Sequence, residues 1–545
     1  MAFVVGTIML FPKAWAATYY IDPTCRSSGN GSTTICGTSG PFKTWAEVPW
    51  GAGNTYSQKG GTTAYEQITV KASGTPGKVI TINSYGKGRA NLNGGITIPS
   101  SSWKVNDPVT GVYSMTSFGR LTLEDSVFIK QASSSRCTNG NQYFASGYKN
   151  YYKPTSGTPA SHTVEKVRDS GIEIGANSFI TITGFNFTKY RTDINGIVKA
   201  SGTANNFIII KNNMFINSQF GISISTNNYK SINNKIIDNT FDSIFSSIEL
   251  HVAAVDTGGT GNFSGAEIAN NTITHCSEIQ GVNTAYAWDL VDRSGWDKEG
   301  VGTQNLINSN VHDNKITGNC RGVVLYVGNA SDGSNNYVYK NYINTNNSGL
   351  LFLFGASTPS FGNNNIYTNI VIGGATDPTH AAVVLGNGRS PSFVYNNFYN
   401  NTVIFNNTGI YSGFIDYYRI VNNIFYNSGS VNHHIGISNN PAHMYYNYNL
   451  YFPSRGGAYW NNHDSSMPWR SWKALGYDAN SLAPADPHFF NAAGGDYTLN
   501  SSSPAKWAGA NIGLKSDYSG KSVHNPPSIG AYEYISTPVP TKVQK

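Results

Sequence analysis

Acidic and basic side chains are concentrated in one short part of this chain. Asp, Glu, Lys and Arg make up 12% of all residues. Six of the fourteen residues 286–299 carry charge: Asp289, Asp292, Arg293, Asp297, Lys298 and Glu299. A pair of carboxylates can cleave a glycosidic bond, one as acid and the other as nucleophile or base. A Lys, Arg or His base beside a bound cation can instead remove a proton from a uronic acid, which is β-elimination. Three aspartates, Asp289, Asp292 and Asp297, could hold Ca²⁺, which prefers carboxylate oxygens.

The elements that must position these side chains are short strands that follow recurring asparagines. The asparagines are Asn213, Asn239, Asn271, Asn314, Asn341, Asn369, Asn401, Asn423 and Asn447. Steps of irregular length, each containing strands with period-2 alternation, predict a coiled β repeat. One turn cannot bury its own inward face, so the turns must stack. Asparagine suits the corners because it tolerates the left-handed αL backbone and its amide can bond to the next amide in the stack. We therefore predict an all-β fold, a parallel β-helix.

The longest step, from Asn271 to Asn314, indicates an inserted loop over 283–308 on the functional face. In the repeat 247–251, Ile248 and Leu250 are predicted to point inward, and Glu249 and His251 outward. The best match to this strand in the long step is 278–282, which places Gln280 beside Glu249 on the next rung. The segment 300–304 is the alternative stacked strand, and it would move Glu299 to a corner. Tyr326 follows on the same face. Arg321 aligns with Glu278 and is interpreted as its structural ion-pair partner.

The two ends of the chain are predicted to cap the β-helix. Residues 17–100 contain a strand at 19–22, a short amphipathic helix at 41–46 and the segment YEQITVKASGTPGKVITI (65–82). This order resembles the N-terminal portion of secreted bacterial right-handed β-helix proteins of the pectate-lyase-like superfamily, and DPHFFNAAGGDYTLNSSSPA (486–505) with GAYEY (530–534) resembles their closing segment. The resemblance implies a right-handed parallel β-helix and action on polysaccharides, without assigning a reaction.

Composition and repeat spacing predict five further segments. We expect a signal peptide at 1–16, a side elaboration at 101–170, the main rungs at 171–451, an irregular C-terminal cap at 452–534 and a Pro/Thr linker or tail at 535–545. The signal peptide predicts a secreted protein, extracellular or periplasmic, and Cys25 and Cys36 are predicted to form a disulfide in the entry cap. Outside the apolar run 1–16, no stretch approaches the about 18 apolar residues of a membrane span.

The net charge of +7 favours an acidic polymer as substrate. Lys and Arg are dispersed, which argues against nucleic-acid binding, and we expect a monomer. We favour a lyase acting by β-elimination on an acidic glycan, with Lys298, Arg293 or His251 near a possible calcium ion. A glycoside hydrolase using Glu299 with Glu249 or Asp297 is the alternative. Candidate substrate contacts are Gln280, Tyr326, Trp296 and Arg321. A non-catalytic glycan-binding or surface-structural protein is the third hypothesis.

Overall fold

Short strands with alternating inward and outward side chains coil into three long parallel sheets. The computed structural model describes residues 16–536 except 117–121, 132–134, 136, 138–141, 147–148, 198–204, 227, 253–258, 277–298, 329–330, 355–360, 375–380, 387–393, 413–416, 430–432, 438–442, 454–458 and 462–464. Most coils contribute one strand to each sheet, in the order sheet 1, sheet 2, sheet 3.

Sheet 1 contains the strands Thr18–Ile21, Thr55–Lys59, Ile80–Tyr85, Ile180–Thr183, Ile208–Lys211, Lys235–Ile237, Glu267–Ala269, Asn310–His312, Tyr337–Tyr339, Asn365–Tyr367, Asn396–Tyr399, Tyr418–Val421 and Met444–Asn447. Sheet 2 contains Thr63–Ala64, Ala90–Asn93, Phe185–Thr188, Met214–Ile216, Thr240–Asp242, Thr272–Cys276, Lys315–Gly318, Tyr342–Thr345, Ile370–Gly373, Thr402–Phe405, Ile424–Asn427 and Leu450–Phe452.

The parallel strands of sheet 3 are Ile68–Thr69, Val164–Glu173, Tyr190–Ile197, Phe220–Thr226, Ser246–Val252, Glu299–Gln304, Arg321–Val327, Leu350–Phe354, Ala381–Leu385, Thr408–Ser412, His433–Ile437 and Tyr459–Asn461. Its antiparallel additions are Gly95–Thr97, Thr122–Glu124, Val127–Phe128 and Ser465–Met467. Tyr459–Asn461 extends the rungs past residue 451.

Smaller elements lie outside these sheets. A five-stranded side sheet is formed by Lys104–Asp107, Val112–Thr116, Lys130–Gln131, Gln142–Ser146 and Lys149–Lys153. The strands Lys230–Ile232, Asn262–Ser264 and Leu306–Ile307 form a three-stranded sheet, and Phe489–Asn491 pairs with Asp496–Leu499. In the described residues the helical elements are the α-helix Trp469–Ala474 and the 3₁₀ turns Trp45–Glu47, Ser100–Ser102, Pro159–Ser161 and Ala492–Gly494.

The core lies inside the coil, where inward side chains of successive rungs stack on one another. Ile208, Ile210 and Ile222 are fully buried, and on sheet 2 the ring of Phe215 stacks on Phe241 at a centroid distance of 4.6 Å. Burial of apolar surface on every rung stabilises the stack because no single coil could bury it alone. The predicted right-handed parallel β-helix is confirmed.

The asparagine ladder runs through the corner between sheets 1 and 2. Nδ2 of Asn341 donates to Oδ1 of Asn369 at 3.0 Å, and Asn369 donates to Asn401 at 2.9 Å. The residue in the αL conformation is the one before each ladder asparagine, as at Thr368 with φ 51°. The ladder ends at Asn449, which accepts from Asn423, so the assignment of Asn447 was wrong.

The short amphipathic helix expected at 41–46 is not confirmed. The segment forms only the 3₁₀ turn Trp45–Glu47, and the indole of Trp45 is 2% exposed inside the first coils. One large ring therefore closes the core where an amphipathic helix was expected. The predicted Cys25–Cys36 disulfide is present.

The exit segment closes the last coil and then turns back along the outside. Trp472 packs in the core, and its Nε1 donates to the buried carboxylate of Asp478 at 2.8 Å. Further on, Ala531 N donates to Thr402 Oγ1 at 2.9 Å, and Tyr497 packs against Ile404 on the outer face of sheet 2. The exit segment therefore packs on sheet 2 around Ile370 and Ile404, whereas Thr272 and Lys315 on earlier strands of that sheet are exposed.

Candidate functional site

The outer face of sheet 3 presents a row of side chains whose chemistry changes along the helix axis. In register, this row contains Glu173, Asn195, Ser223, Glu249, Gly302, Val324, Leu351, Val384 and Tyr411. The first four are polar or acidic, whereas Val324, Leu351 and Val384 are apolar and buried. Gly302 lies where the polar half meets the apolar half.

The strand Ser246–Val252 has the alternation that the sequence predicts. Ile248 and Leu250 are buried in the core, whereas Glu249 is half-buried and His251 is exposed on the outer face. Successive strands lie about 4.8 Å apart. Groups on neighbouring rungs of this face can therefore contact the same small ligand.

The rung after Ser246–Val252 differs from the predicted one. The strand Glu299–Gln304 stacks there, with Val301 opposite Ile248 and Gly302 opposite Glu249. The strand next to Ser246–Val252 is therefore Glu299–Gln304 and not 278–282, which lies outside the described residues. The described part of the predicted loop 283–308 contains the strands Glu299–Gln304 and Leu306–Ile307, and the segment 277–298 connects Thr272–Cys276 on sheet 2 to Glu299–Gln304 on sheet 3. The register partner of Arg321 is Glu299, not Glu278.

Steric crowding explains why 300–304, and not 278–282, lies next to the strand Ser246–Val252. Gly300, the residue before Val301, lies at a tight inner corner of the coil. A Cβ on Gly300 would lie 2.6 Å from Cγ2 of Ile316. Glycine occupies the equivalent place at Gly322 and Gly349 on the next rungs. In the predicted register Glu278 would occupy that corner, where neither its length nor its charge can be accommodated.

Glu299 reaches the outer row although it begins its strand. A Cβ built on Gly302 would overlap Oε2 of Glu299 and lie 2.8 Å from its Cδ. The carboxylate therefore occupies the space that a side chain at position 302 would fill, one rung from Glu249. Two carboxylates are brought together on one face, and the absence of a side chain at Gly302 makes this possible.

The other predicted site residues divide into two groups. Tyr326 is half-buried, lies opposite Gln304 and packs against the apolar cluster that contains Val324 and Leu351. Arg321 is half-buried at the start of the same strand. Seven lie outside the described residues: Gln280, Asp289, Asp292, Arg293, Trp296, Asp297 and Lys298. The calcium site and the cations near it therefore remain predictions.

A disulfide that the sequence left unassigned borders the insertion. Cys276, the last described residue before the segment 277–298, is bonded to Cys320 in the next coil with a Cα–Cα distance of 5.4 Å. Both cysteines are fully buried. The bond ties the start of the segment 277–298 to the corner just before Arg321. It therefore helps to hold the rung that contains Glu299.

A second group of charged side chains lies on the outer face of sheet 1. Glu267 pairs with Lys235 and lies 3.7 Å from Nε2 of His312, whose Nδ1 is 2.7 Å from Asp313. The hydrogen bond from Lys235 lowers the pKa of Glu267. A shallow cavity of about 440 Å³ is lined by Lys235 and Glu267 together with Phe207, Ile209, Asn233, Gly265 and Asn310. The sequence analysis did not identify this group, because its members come from separate rungs.

Potential metal ligands also meet at two places in the described part of the chain. Asp22 lies near Cys25 and Cys36, but these cysteines form a disulfide. Glu124, Asp125 and His162 form the second group, in which His162 contacts Asp125 at 2.8 Å and the carbonyl of Ser156 at 2.7 Å. Asp125 raises the pKa of His162 through this bond. Both imidazole nitrogens already have partners, so this group is structural.

Comparisons with known proteins bear on the fold. No family model matches the chain, and no curated protein sequence matches it. A solved structure described as the complex of XylC with xylose has 13% identity, covers 95% of this chain and 98% of its own, and gives a TM-score of 0.57. Pectate lyase Pel9A has 14% identity, coverages of 95% and 96%, and a TM-score of 0.40. DFA-IIIase from Arthrobacter chlorophenolicus A6 has 13% identity, coverages of 86% and 91%, and a TM-score of 0.36.

Identities this low indicate a shared fold and not a shared reaction. The structure with a TM-score of 0.57 extends over nearly the whole of both chains, as expected if the β-helix and both caps correspond. In the described part of the chain no helix is long and apolar enough to cross a membrane. The chain has a right-handed parallel β-helix fold, which it shares with the XylC structure.

Proposed function

We propose that this protein is a secreted carbohydrate-active enzyme that cleaves a polysaccharide on the outer face of sheet 3. The observation that carries the proposal is the placement of the Glu299 carboxylate over Gly302, one rung from Glu249. Two disulfides, Cys25–Cys36 and Cys276–Cys320, support an oxidising compartment outside the cytoplasm.

Hydrolysis is the reaction that the described residues support best. A carboxylic acid on one side of the glycosidic bond protonates the leaving oxygen, and a carboxylate on the other side attacks the sugar or activates water. Glu249 and Glu299 are carboxyl groups on adjacent rungs, so one sugar ring can contact both. Carboxyl groups about 5 Å apart retain the anomeric configuration, and wider pairs, about 6.5–9.5 Å apart, invert it. The stereochemistry of the product would therefore report the working distance between them.

β-Elimination, which the sequence favoured, is the second candidate. His251 is exposed two residues from Glu249 on the same strand and the same face, where a base must lie. The reaction also requires neutralisation of the uronate, for which the predicted calcium ligands Asp289, Asp292 and Asp297 and the cations Arg293 and Lys298 are the candidates. The net charge of +7 favours an acidic substrate in this case.

The XylC structure was determined with xylose, so a protein of similar fold holds a sugar. We extend that only to the class of ligand, a glycan, since one fold supports many reactions.

The proposal is tested by incubating the purified protein with acidic and neutral polysaccharides. Reducing ends and absorbance at 232 nm are followed in parallel, with and without EDTA. Reducing ends without absorbance would establish hydrolysis, and growth at 232 nm would establish a lyase. Sensitivity to EDTA would support the calcium site.

The variants Glu299→Gln and Glu249→Gln should each lose the activity. Glu173→Gln is the matched control, because Glu173 occupies the same outer row three rungs from Glu249. No products from any polysaccharide would contradict the proposal and favour a binding or structural role.

A further inference from the structure

The outer face of sheet 1 carries a continuous row of polar and aromatic side chains that the proposed catalytic site does not use. In register, the row contains Lys235, Glu267, Asn310, Tyr337, Asn365, Asn397, Arg419 and Tyr445, here called the sheet 1 row. At about 4.8 Å per rung, these eight positions extend over about 34 Å.

Several side chains of the sheet 1 row are exposed to solvent. Tyr337 is 40% exposed and Tyr445 is 45% exposed, and Arg419 between them is also exposed. Over the same coils, the exit segment packs on sheet 2 at Ile370 and Ile404, and Val324, Leu351 and Val384 on sheet 3 are buried. Exposed tyrosine rings on an otherwise open sheet face indicate a contact surface.

Stacked rings form one flank of the sheet 1 row. His312, Tyr339, Tyr367 and Tyr399 lie in the neighbouring outward positions, with centroid distances of 4.6, 5.1 and 5.1 Å and interplanar angles of 7° or less. Burial raises the pKa of Tyr367 to about 12, so the hydroxyl is neutral at physiological pH. This flank therefore offers a wall of stacked rings beside the row.

The opposite flank and one end of the row are also shaped by aromatic groups. The guanidinium of Arg419 lies 4.2 Å from the ring centroid of Tyr395 at the corner, and Tyr445 receives a hydrogen bond from Asn447 at 2.8 Å, which holds its hydroxyl. At the other end lies the cavity of about 440 Å³, which is lined in part by Phe207. The ring of Phe207 is stacked on that of Phe179 at a centroid distance of 4.6 Å. The row is therefore a shallow track with a pocket at its end.

The charge and spacing of the track select its occupant. Lys235 is paired with Glu267, and asparagines occupy three of the four positions between Glu267 and Arg419, so the track offers hydrogen bonds and ring faces with little net charge. Each rung advances about 4.8 Å, close to the length of one sugar in an extended chain. Nucleic acid or an anionic membrane would require a row of cations instead.

We infer that the sheet 1 row binds an extended, neutral polysaccharide chain, with Tyr337 and Tyr445 as stacking platforms and the amides of Asn365 and Asn397 between them. The two asparagines already share a hydrogen bond of 3.1 Å, which orients both amides on the outer face. This binding track lies on a different sheet from Glu249 and Glu299, so it can hold a polymer while the proposed catalytic face acts on another part of it. Binding there requires no catalysis.

The test is affinity gel electrophoresis with hydroxyethylcellulose, soluble arabinoxylan, glucomannan or polygalacturonate in the gel. The Glu249→Gln/Glu299→Gln double variant is used as the parent, which separates binding on sheet 1 from turnover. Retardation of this parent by at least one neutral glycan is expected. Tyr337→Ala and Tyr445→Ala should each weaken it about two- to tenfold, the range for loss of one aromatic stacking contact.

Two substitutions serve as controls. Tyr337→Phe retains the ring and should bind nearly as well as the parent. Tyr65→Ala removes another exposed tyrosine, 62% exposed in the entry cap, and should change nothing. Three results would each overturn the inference: no retardation in any neutral glycan, equal retardation of the Tyr337→Ala/Tyr445→Ala variant, or binding only to polygalacturonate that salt abolishes. A catalytically silent protein that binds through sheet 1 would contradict only the proposed function.

Discussion

Replacing Gly302 by alanine should displace the Glu299 carboxylate without altering either glutamate. The added Cβ would overlap Oε2 of Glu299 and lie 2.8 Å from its Cδ. Carbon atoms pack at about 3.5–4.0 Å, so the carboxylate must move by about 1 Å or more. A misplacement of about 1 Å can reduce the rate about 100-fold. We therefore expect kcat to fall by roughly that factor.

The fold should tolerate this substitution. The backbone of Gly302 is not in the left-handed region, and the clash involves the end of a flexible side chain. The melting temperature should therefore stay within a few degrees of the wild type, which circular dichroism would measure. Asn195→Ala, in the same row two rungs from Glu249, is the control and should retain activity.

A double-mutant cycle separates displacement of Glu299 from a general effect on the site. If Gly302→Ala acts through the Glu299 carboxylate, it should cost almost nothing more in a Glu299→Gln background. The kinetic measurement is initial rate against substrate concentration on the best polysaccharide. Activity of Gly302→Ala within threefold of wild type, or an equal loss in both backgrounds, would refute the reasoning.

Three further predictions concern stability. Replacing both Cys276 and Cys320 by alanine should lower the free energy of unfolding by about 4 kcal/mol, the chain-entropy value for their separation of 44 residues, measured in urea. By the same measurement, Asn369→Ala should lower the free energy of unfolding by about 3 kcal/mol or more, because buried donors such as the backbone N–H and the amide of Asn341 lose their acceptor at about 1–3 kcal/mol each. A loss below about 1 kcal/mol would contradict a stabilising role for the ladder. Because the pKa of His162 is raised in the folded state, its contribution to the free energy of unfolding is present below about pH 6.5 and is lost as pH rises through the folded-state pKa. The melting temperature should therefore fall more above about pH 6.5 in wild type than in His162→Gln.

The repeat architecture was predictable because it depends on local rules repeated many times. Each ladder asparagine precedes an alternating strand, so one error, such as Asn447 for Asn449, does not change the fold. The outward direction of Glu249 and His251 follows from the same alternation.

The register after the insertion was not predictable by alternation alone. Both 278–282 and 300–304 alternate suitably, and the choice depends on the volume of Ile316 on sheet 2, which excludes a side chain at Gly300. The sheet 1 row was missed for a related reason. Its members, such as Tyr337 and Tyr445, are far apart in sequence and meet only through the register of the coils.

The central claim is that Glu249 and Glu299 act together on a polysaccharide, and the most direct test compares matched glutamate-to-glutamine variants. The kcat of Glu249→Gln, Glu299→Gln and Glu173→Gln would be measured on the best substrate found. We expect losses of about 100-fold or more for the first two and wild-type activity for Glu173→Gln. Similar activity in all three variants would contradict the assignment of the paired carboxylates.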